Sequence, residues 1–453
     1  MGSFKVIIIG SGLSGSLLAN GLANHGIDFL VYERDSCDTK REGYQIRVGE
    51  NALIGMRACL RVEHLAQVVE NIGPNAKVPI IYDKTFQQML DLNRLPAYSK
   101  SVPIDRVALR EVLAGPILKL GKLHYDKKFV GCQIIKEEQK ELVRVFFEDG
   151  SADTCDLLIG ADGNRSKVNE MLGVNNIKAV EGFRALLTKC DLPLSLYNTV
   201  DKEVLSSPIA TLQDGKLMYF CAYLPADYAA KREAGQSSNP NEDLSSCMLS
   251  LCWPENLSPP LDTMSLDQRW GAIADIYKDW SPKHHQILEL CRGQEMFILS
   301  PRVGIKPTEN WRKEVATASK GAAGSPHVWL MGDALHPMLP NRGMGGQQAM
   351  HDAADVLPLI RKLAAKASTP QGLQPEDFQT ACDTYEKGMI PRAFEWVRKS
   401  GGDNFVPVDL SKTLDRLLLG MFSHIIPAAR LGYWLLSFFT DTSGRRDAPE
   451  FAS

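Results

Sequence analysis

Three glycine- and aspartate-bearing signatures in this chain have the residue types needed to hold a phosphate-bearing ligand. Gly10-Ser11-Gly12-Leu13-Ser14-Gly15 follows the apolar run Val6-Ile7-Ile8-Ile9. Gly160-Ala161-Asp162-Gly163 follows Asp156-Leu157-Leu158-Ile159, and Gly332-Asp333 follows Val328-Trp329-Leu330-Met331. Each sets a glycine or an acid at the end of an expected buried strand, the edge at which a doubly wound sheet binds its ligand. In the first signature, Gly10, Gly12 and Gly15 allow a tight turn and bring backbone N–H groups to a pyrophosphate at a helix N-terminus. Glu33 ends the next expected strand, at the distance where an acid accepts hydrogen bonds from ribose hydroxyls, and Arg34 follows it as a further cofactor-side candidate. This unit by itself fits NAD and FAD equally.

The elements that must position these residues are legible in outline. Residues 4–34 read as a β-α-β unit, with Val6–Ile9 and Phe29–Tyr32 as strands and Leu17–Ala23 as the helix. Leu142–Phe147, the turn Glu148-Asp149-Gly150-Ser151 and Thr154–Ile159 read as a hairpin leading into the second signature. The character changes over residues 181–294, where Lys216–Leu224 and Ser245–Trp253 are strand-like, the stretch 229–243 is a polar loop, and no phosphate-type turn occurs. That stretch is the expected substrate domain. After Asp333 a Pro- and Gly-rich loop leads into a helix over Gln347–Ala365. The expected division is therefore cofactor domain over 1–72, 103–180 and 295–368, substrate domain over 73–102 and 181–294, and a C-terminal helical segment over 369–453. Leu414–Phe439 is strongly apolar but broken by Pro427 and Arg430, short of the ~20 apolar residues that cross a bilayer. It reads as a helix pair packed on the body, with peripheral contact to an internal membrane as the alternative.

Composition narrows the class. The chain has 453 residues, 44% of them hydrophobic and 23% charged, as in ordinary soluble enzymes. A formal charge of -3 leaves no overall basic footprint, so no nucleic-acid partner is expected. The ten cysteines are scattered without C-x-x-C or zinc spacing, and His284-His285 and the other histidines lack metal spacing. Reduced thiols, no metal site and a cytoplasmic location are the expectations.

Together the signatures resemble the flavoprotein monooxygenases of the para-hydroxybenzoate hydroxylase type, and within them the fungal FAD-dependent monooxygenases of secondary metabolism. The matching residues run from Lys5 to Val356. The resemblance implies an α/β fold: a Rossmann-like FAD-binding domain of the GR2 type, an inserted mixed or antiparallel β-sheet substrate domain, and a C-terminal helical segment. It implies noncovalent FAD, with NADPH or NADH as a transient co-substrate, since no second dinucleotide fingerprint occurs. By the same resemblance, Asp162 and Gly163 lie near the pyrophosphate and the nicotinamide path, and Asp333 reaches the ribityl chain. Gly343, Gly345, Gly346 and Gln347 bring N–H groups to the flavin pyrimidine edge. Arg106, in Ile104-Asp105-Arg106, contacts the pyrophosphate or ribityl part, and Arg47, in Gln45-Ile46-Arg47, is a second cofactor-facing arginine. Arg184, in Gly182-Phe183-Arg184, is the catalytic candidate, orienting an anion rather than donating a proton because its pKa exceeds ~12. Two positions depart from the family pattern: Leu335 replaces a smaller residue and Gln347 replaces Asn. The implied reaction uses NAD(P)H and O2, through a flavin C4a-hydroperoxide, to hydroxylate, epoxidise or Baeyer–Villiger-oxidise a small hydrophobic or aromatic organic substrate. A flavin oxidase or dehydrogenase, or a nonenzymatic flavin-fold binding protein, are the alternatives.

Overall fold

The computed structural model describes residues 4–37, 39, 45–72, 78–94, 101–137, 140–223, 244–318, 321–402 and 409–437. Its first sheet is parallel, in the order β19 (Val328–Leu330), β11 (Leu157–Gly160), β1 (Lys5–Ile9), β2 (Asp28–Tyr32) and β7 (Leu123–His124). Its strands are continuous apolar runs because both faces are covered; Val6, Ile7, Ile8, Leu157, Leu158 and Trp329 are fully buried. Ile9 pairs with Gly160, and Gly160 with Leu330, so three segments distant in sequence end side by side. The helix Leu13–Asn24 follows β1 and buries Leu17, Leu18 and Leu22 against the sheet, completing the expected β-α-β unit.

The expected strand Thr154–Ile159 is two strands in two sheets. β8 (Phe129–Glu137), β9 (Lys140–Phe147) and β10 (Ala152–Cys155) form a separate antiparallel sheet. At Asp156, whose carboxylate accepts from Lys5 N at 2.8 Å, the chain leaves that sheet and enters β11. The alternation of β10 suits a one-sided sheet, whereas the unbroken apolar run after Asp156 suits the doubly covered one.

The second large sheet has seven strands, in the order β17 (Phe297–Leu299), β13 (Phe183–Pro193), β16 (Leu244–Pro254), β15 (Lys216–Tyr223), β14 (Ile209–Gln213), β4 (Ile80–Tyr82) and β5 (Gln88–Asp91). It draws β4 and β5 from the expected excursion over 73–102, and it takes β17 from just beyond residue 294. One face alternates Leu186, Cys190, Phe220, Leu249 and Leu251 into a core roofed by the helices Leu266–Ile276 and Pro282–Cys291. The other face, with Leu187, Lys189, Tyr219 and Ser250 half-buried, turns to the cofactor domain, where Lys189 Nζ lies 3.9 Å from Asp105. Two short ladders, β3 (Gln45–Gly49) with β6 (Ser101–Asp105) and β12 (Ile177–Ala179) with β18 (Arg302–Gly304), complete the strands.

Three long helices follow, Gly345–Ala367, Pro375–Lys399 and Thr413–Ser437. The last corrects the expected packed helix pair: among the described residues it is one helix, and its apolar row points outward. Leu414, Leu417, Leu418, Met421, Phe422 and Ile425 are each more than half exposed, while Ile426 on the inner side is buried. The expected polar loop over 229–243 and the end of the apolar segment at 438–439 lie outside the described residues.

Candidate cofactor-binding site

The three signatures meet at one edge of the parallel sheet. Gly10 has φ +104°, and a Cβ there would lie 2.4 Å from the carbonyl oxygen of Ala161 in the second signature. A Cβ at Gly15 would lie 2.1 Å from Gly10 O, so both glycines are required by close backbone approach. Gly12 differs. It starts the helix Leu13–Asn24 without a side-chain cap, and a Cβ there would meet nothing within 4 Å. Gly332, with φ +61°, packs against Ala349 and Ser14, and a Cβ at Gly345 would lie 3.8 Å from Asp333 Oδ1. The helix Gly345–Ala367 also begins without a side-chain cap, and Gly346 lies against Leu13 of the first helix. Two uncapped helix N-termini therefore flank an open groove. That is the electrostatic setting a pyrophosphate and an electron-rich ring edge require.

The acids and arginines are distributed along this groove. Glu33 is buried at the end of β2; its Oε2 accepts from Ser11 N at 2.8 Å and Ser11 Oγ at 2.9 Å. Asp333 is pushed towards a higher pKa by burial, while the His336 and Arg106 charges pull the other way. The helix Arg106–Lys119, capped by Asp105 through Val107 N and Ala108 N, carries Arg106 towards Asp333 and Arg110 to within 3.5 Å of Ser11 Oγ. These arginines are four residues apart on one helical face. Arg110 thus joins the Glu33 end of the site; its spacing from Arg106 was the available signal.

The remaining expected residues sit as follows. The Asp162 carboxylate accepts from Ser166 Oγ, Lys167 N (2.7 Å) and Val168 N (3.2 Å), so it shapes its own loop, while Gly163 (φ +82°) faces open space. Arg47 Nε donates to Ser101 Oγ at 2.9 Å, and a Cβ at Gly343 would lie 3.8 Å from Arg47 Cβ. Arg47 therefore stands between the glycine loop and Tyr219, whose phenol burial pushes well above its ordinary pKa. Buried Gln347 folds back to donate to Gly343 O at 3.2 Å. Arg34 is half exposed beside Asp35, next to the Glu33 end. Arg184 is not brought to this group. It shares the face of Leu186 and Thr188 and is held by Glu255 at 2.7 Å and Ser300 at 3.3 Å, on the side of the sheet away from Tyr219.

Behind the Gly332-Asp333 turn lie His336 and, on the helix Gly345–Ala367, Asp352. Both are fully buried, and His336 Nε2 lies 2.7 Å from Asp352 Oδ2. A separate cleft between the C-terminal ends of the helices Leu13–Asn24 and Arg106–Lys119, lined by Asn24, Arg61, His64 and Lys119, opens away from the glycine turn and belongs to no part of this cradle.

A parallel β-α-β sheet to which the chain returns three times, joined to an antiparallel sheet, is the layout of a dinucleotide-binding fold. Residues 3–215 match the family model described as FAD binding domain. Among curated relatives, the dual O-methyltransferase/FAD-dependent monooxygenase elcB of Phaeosphaeria nodorum is 23% identical over 80% of this chain and 40% of its own length. The chloroplastic zeaxanthin epoxidase of an Oncidium hybrid cultivar is 25% identical over 85% of this chain and 52% of its own. The chain thus spans about half the length of these relatives. Among solved structures, Klebsiella pneumoniae HpxO complexed with FAD and uric acid shares the fold with a TM-score of 0.67 at 20% identity, over 94% of this chain and 95% of that one.

Proposed function

We propose that this protein is an FAD-dependent monooxygenase that uses NAD(P)H and O2 to place one oxygen atom on a small hydrophobic or aromatic organic substrate. The observation that carries this reading is the convergence of Gly12, Glu33, Arg106, Asp333 and the Gly343–Gly346 loop on one groove beneath the inner face of the seven-stranded sheet. Noncovalent FAD would supply the hydride-accepting and oxygen-activating chemistry there. Glu33 and Arg110 would hold its adenosine end, Arg106 and Asp333 the ribityl part, and the uncapped N-terminus of the helix Gly345–Ala367 would favour negative charge on the ring edge.

The substrate side is supported by register. Phe297, Leu187, Ser250, Tyr219, Ala210 and Ile81 form one row across the sheet, on the face turned to the cofactor domain. The row offers apolar wall with two hydroxyls, suited to excluding water around a largely apolar ligand. Tyr219 stays protonated at neutral pH and so can donate to a substrate oxygen. We assign orientation of the substrate to Tyr219 rather than to Arg184, which Glu255 occupies. The outward apolar row of the helix Thr413–Ser437 supports peripheral contact with a membrane, although no described helix is long and apolar enough to cross one.

The test is anaerobic reduction of the FAD-loaded protein by NADPH and by NADH, followed by isotopically heavy O2 and candidate aromatic or polyene substrates. Incorporation of one heavy oxygen atom into product is expected. Reduction by the organic substrate itself, without oxygen incorporation, would make the protein a flavin oxidase or dehydrogenase. Co-sedimentation with anionic vesicles tests the membrane contact; recovery wholly in the supernatant refutes it.

A further inference from the structure

The helix Pro375–Lys399 lies beyond the part of the chain that carries the family signatures, yet one of its side chains reaches into the cofactor domain. Arg392 Nη2 donates to Asp352 Oδ1 at 2.6 Å and to Asp355 Oδ2 at 2.9 Å, and Nη1 donates to Gln348 Oε1. The second oxygen of Asp352 accepts from Gly332 N at 2.7 Å and faces His336 Nε2 at 2.7 Å. One guanidinium therefore holds the opening turns of the helix Gly345–Ala367 and, through one carboxylate, the backbone of the Gly332-Asp333 turn. Burial alone would raise the Asp352 carboxyl; His336, Arg392 and the Gly332 N–H more than reverse this and keep it ionised. His336 and Asp352 have no exposed surface, so neither can touch a ligand in the groove.

We propose that Arg392 and Asp352 are positioning residues of the cofactor site, setting the Gly332-Asp333 turn against the N-terminus of the helix Gly345–Ala367. The proposal rests on the FAD reading above. Those two elements carry the aspartate and the helix dipole that address the ribityl and pyrimidine parts, so their relative placement controls both affinity and the charge felt by the ring. The planar guanidinium serves its three acceptors from two nitrogens held in a fixed fork. A lysine there, a single point donor on a shorter side chain, would not reproduce that spread. Arg312 provides an internal comparison. It pairs with Glu386 of the same helix at 2.7 Å and donates to Val328 O, but touches neither the Gly332-Asp333 turn nor the helix Gly345–Ala367.

The experiment compares wild type, Arg392→Met, Arg392→Lys, Asp352→Asn and Glu386→Gln by thermal melting of the apoprotein, FAD Kd from flavin fluorescence, and flavin midpoint potential. Arg392→Met and Asp352→Asn are expected to weaken FAD at least tenfold, and Arg392→Met to move the midpoint potential to more negative values. Glu386→Gln should lower the melting temperature without changing either flavin property. If Arg392→Met fails to fold, Arg392→Lys carries the test, with weakened FAD as the expected result. Unchanged Kd and potential in the Arg392 variants, or the same changes in Glu386→Gln, would overturn the proposal. Wild-type protein that takes up no FAD overturns the FAD reading and this proposal together, whereas tight wild-type binding with indifferent variants overturns the proposal alone.

Discussion

Gly12 separates folding from cofactor binding more cleanly than any other position in the groove. Its backbone, at φ -68° and ψ -173°, is open to any residue, and a Cβ there meets nothing within 4 Å. For the apoprotein, Gly12→Ala should leave stability within about 1 kcal/mol of wild type: the unfolded chain loses freedom without any native clash, about 0.4–1 kcal/mol, which offsets the poorer fit of Ala at the helix N-cap. For the FAD complex the same methyl stands where the pyrophosphate must approach the backbone. Overpacking costs about 1–3 kcal/mol, and a lost hydrogen bond to a charged group about 1.5–3 kcal/mol. A combined figure of about 4 kcal/mol corresponds to roughly 10³-fold in Kd. Gly15→Ala is the contrasting variant, since its Cβ would lie 2.1 Å from Gly10 O and the helix or the turn must move. Differential scanning fluorimetry of the apoproteins and flavin-fluorescence titration give both quantities. The expected pattern is an apo-stable, FAD-blind Gly12→Ala beside an apo-unstable Gly15→Ala. Gly12→Ala that binds FAD within about threefold of wild type would refute the placement of the pyrophosphate.

Other outcomes follow from the same geometry. Because Arg110 lies near Ser11 and Arg106 acts on Asp333, Arg110→Ala should weaken both ADP and FAD, whereas Arg106→Ala should weaken FAD alone. Equal losses in calorimetric titrations would contradict that assignment. His284 is fully buried between the hydroxyls of Thr211 and Ser281, each 2.9 Å away. Its pKa is pushed from 6.5 to about 4 by burial, with His285 adding and Asp83 opposing. Between those values the unfolded chain binds a proton that the folded chain refuses. Stability should therefore fall as pH drops from 6.5 towards 4, by roughly 3 kcal/mol at ~1.36 kcal/mol per unit. Urea melts of His284→Gln should show a flatter acid limb, and an unchanged limb would contradict the assignment. Replacing Leu417, Met421 and Ile425 together by Gln should leave the melting temperature nearly unchanged because all three are exposed; a large drop would mean that this face is covered.

How much of this was legible depended on whether a residue's role left a local mark. Gly10, Gly15 and Gly332 occupy close approaches or positive φ, so their positions announced the ligand edge and, with it, the parallel sheet. For Arg184 the face was legible: its parity with Leu186 and Thr188 along β13 already puts it on the side away from Tyr219. The strand boundary at Asp156 was likewise present as a change from alternating to continuous apolar residues. The Arg392–Asp352 pair was not legible, because contact between side chains on two different helices imposes no spacing on the sequence. Nor was the outward face of the helix Thr413–Ser437, since an apolar stripe ordinarily marks the side that meets the core.

The order of the parallel sheet has a consequence for how the protein is made. Gly10 leaves the ribosome over three hundred residues before Asp333, and β1 cannot gain its neighbour's neighbour β19 until the chain has grown that far. At about 5–20 residues per second, the first glycine turn waits of order half a minute for its partners. Capture of FAD is thus a late event in biogenesis, and until then the unpaired edge of β11 is exposed to aggregation. Flavin supply during expression should accordingly govern the yield of folded protein, because a ligand that binds only the native state pulls the slow closing of the sheet to completion.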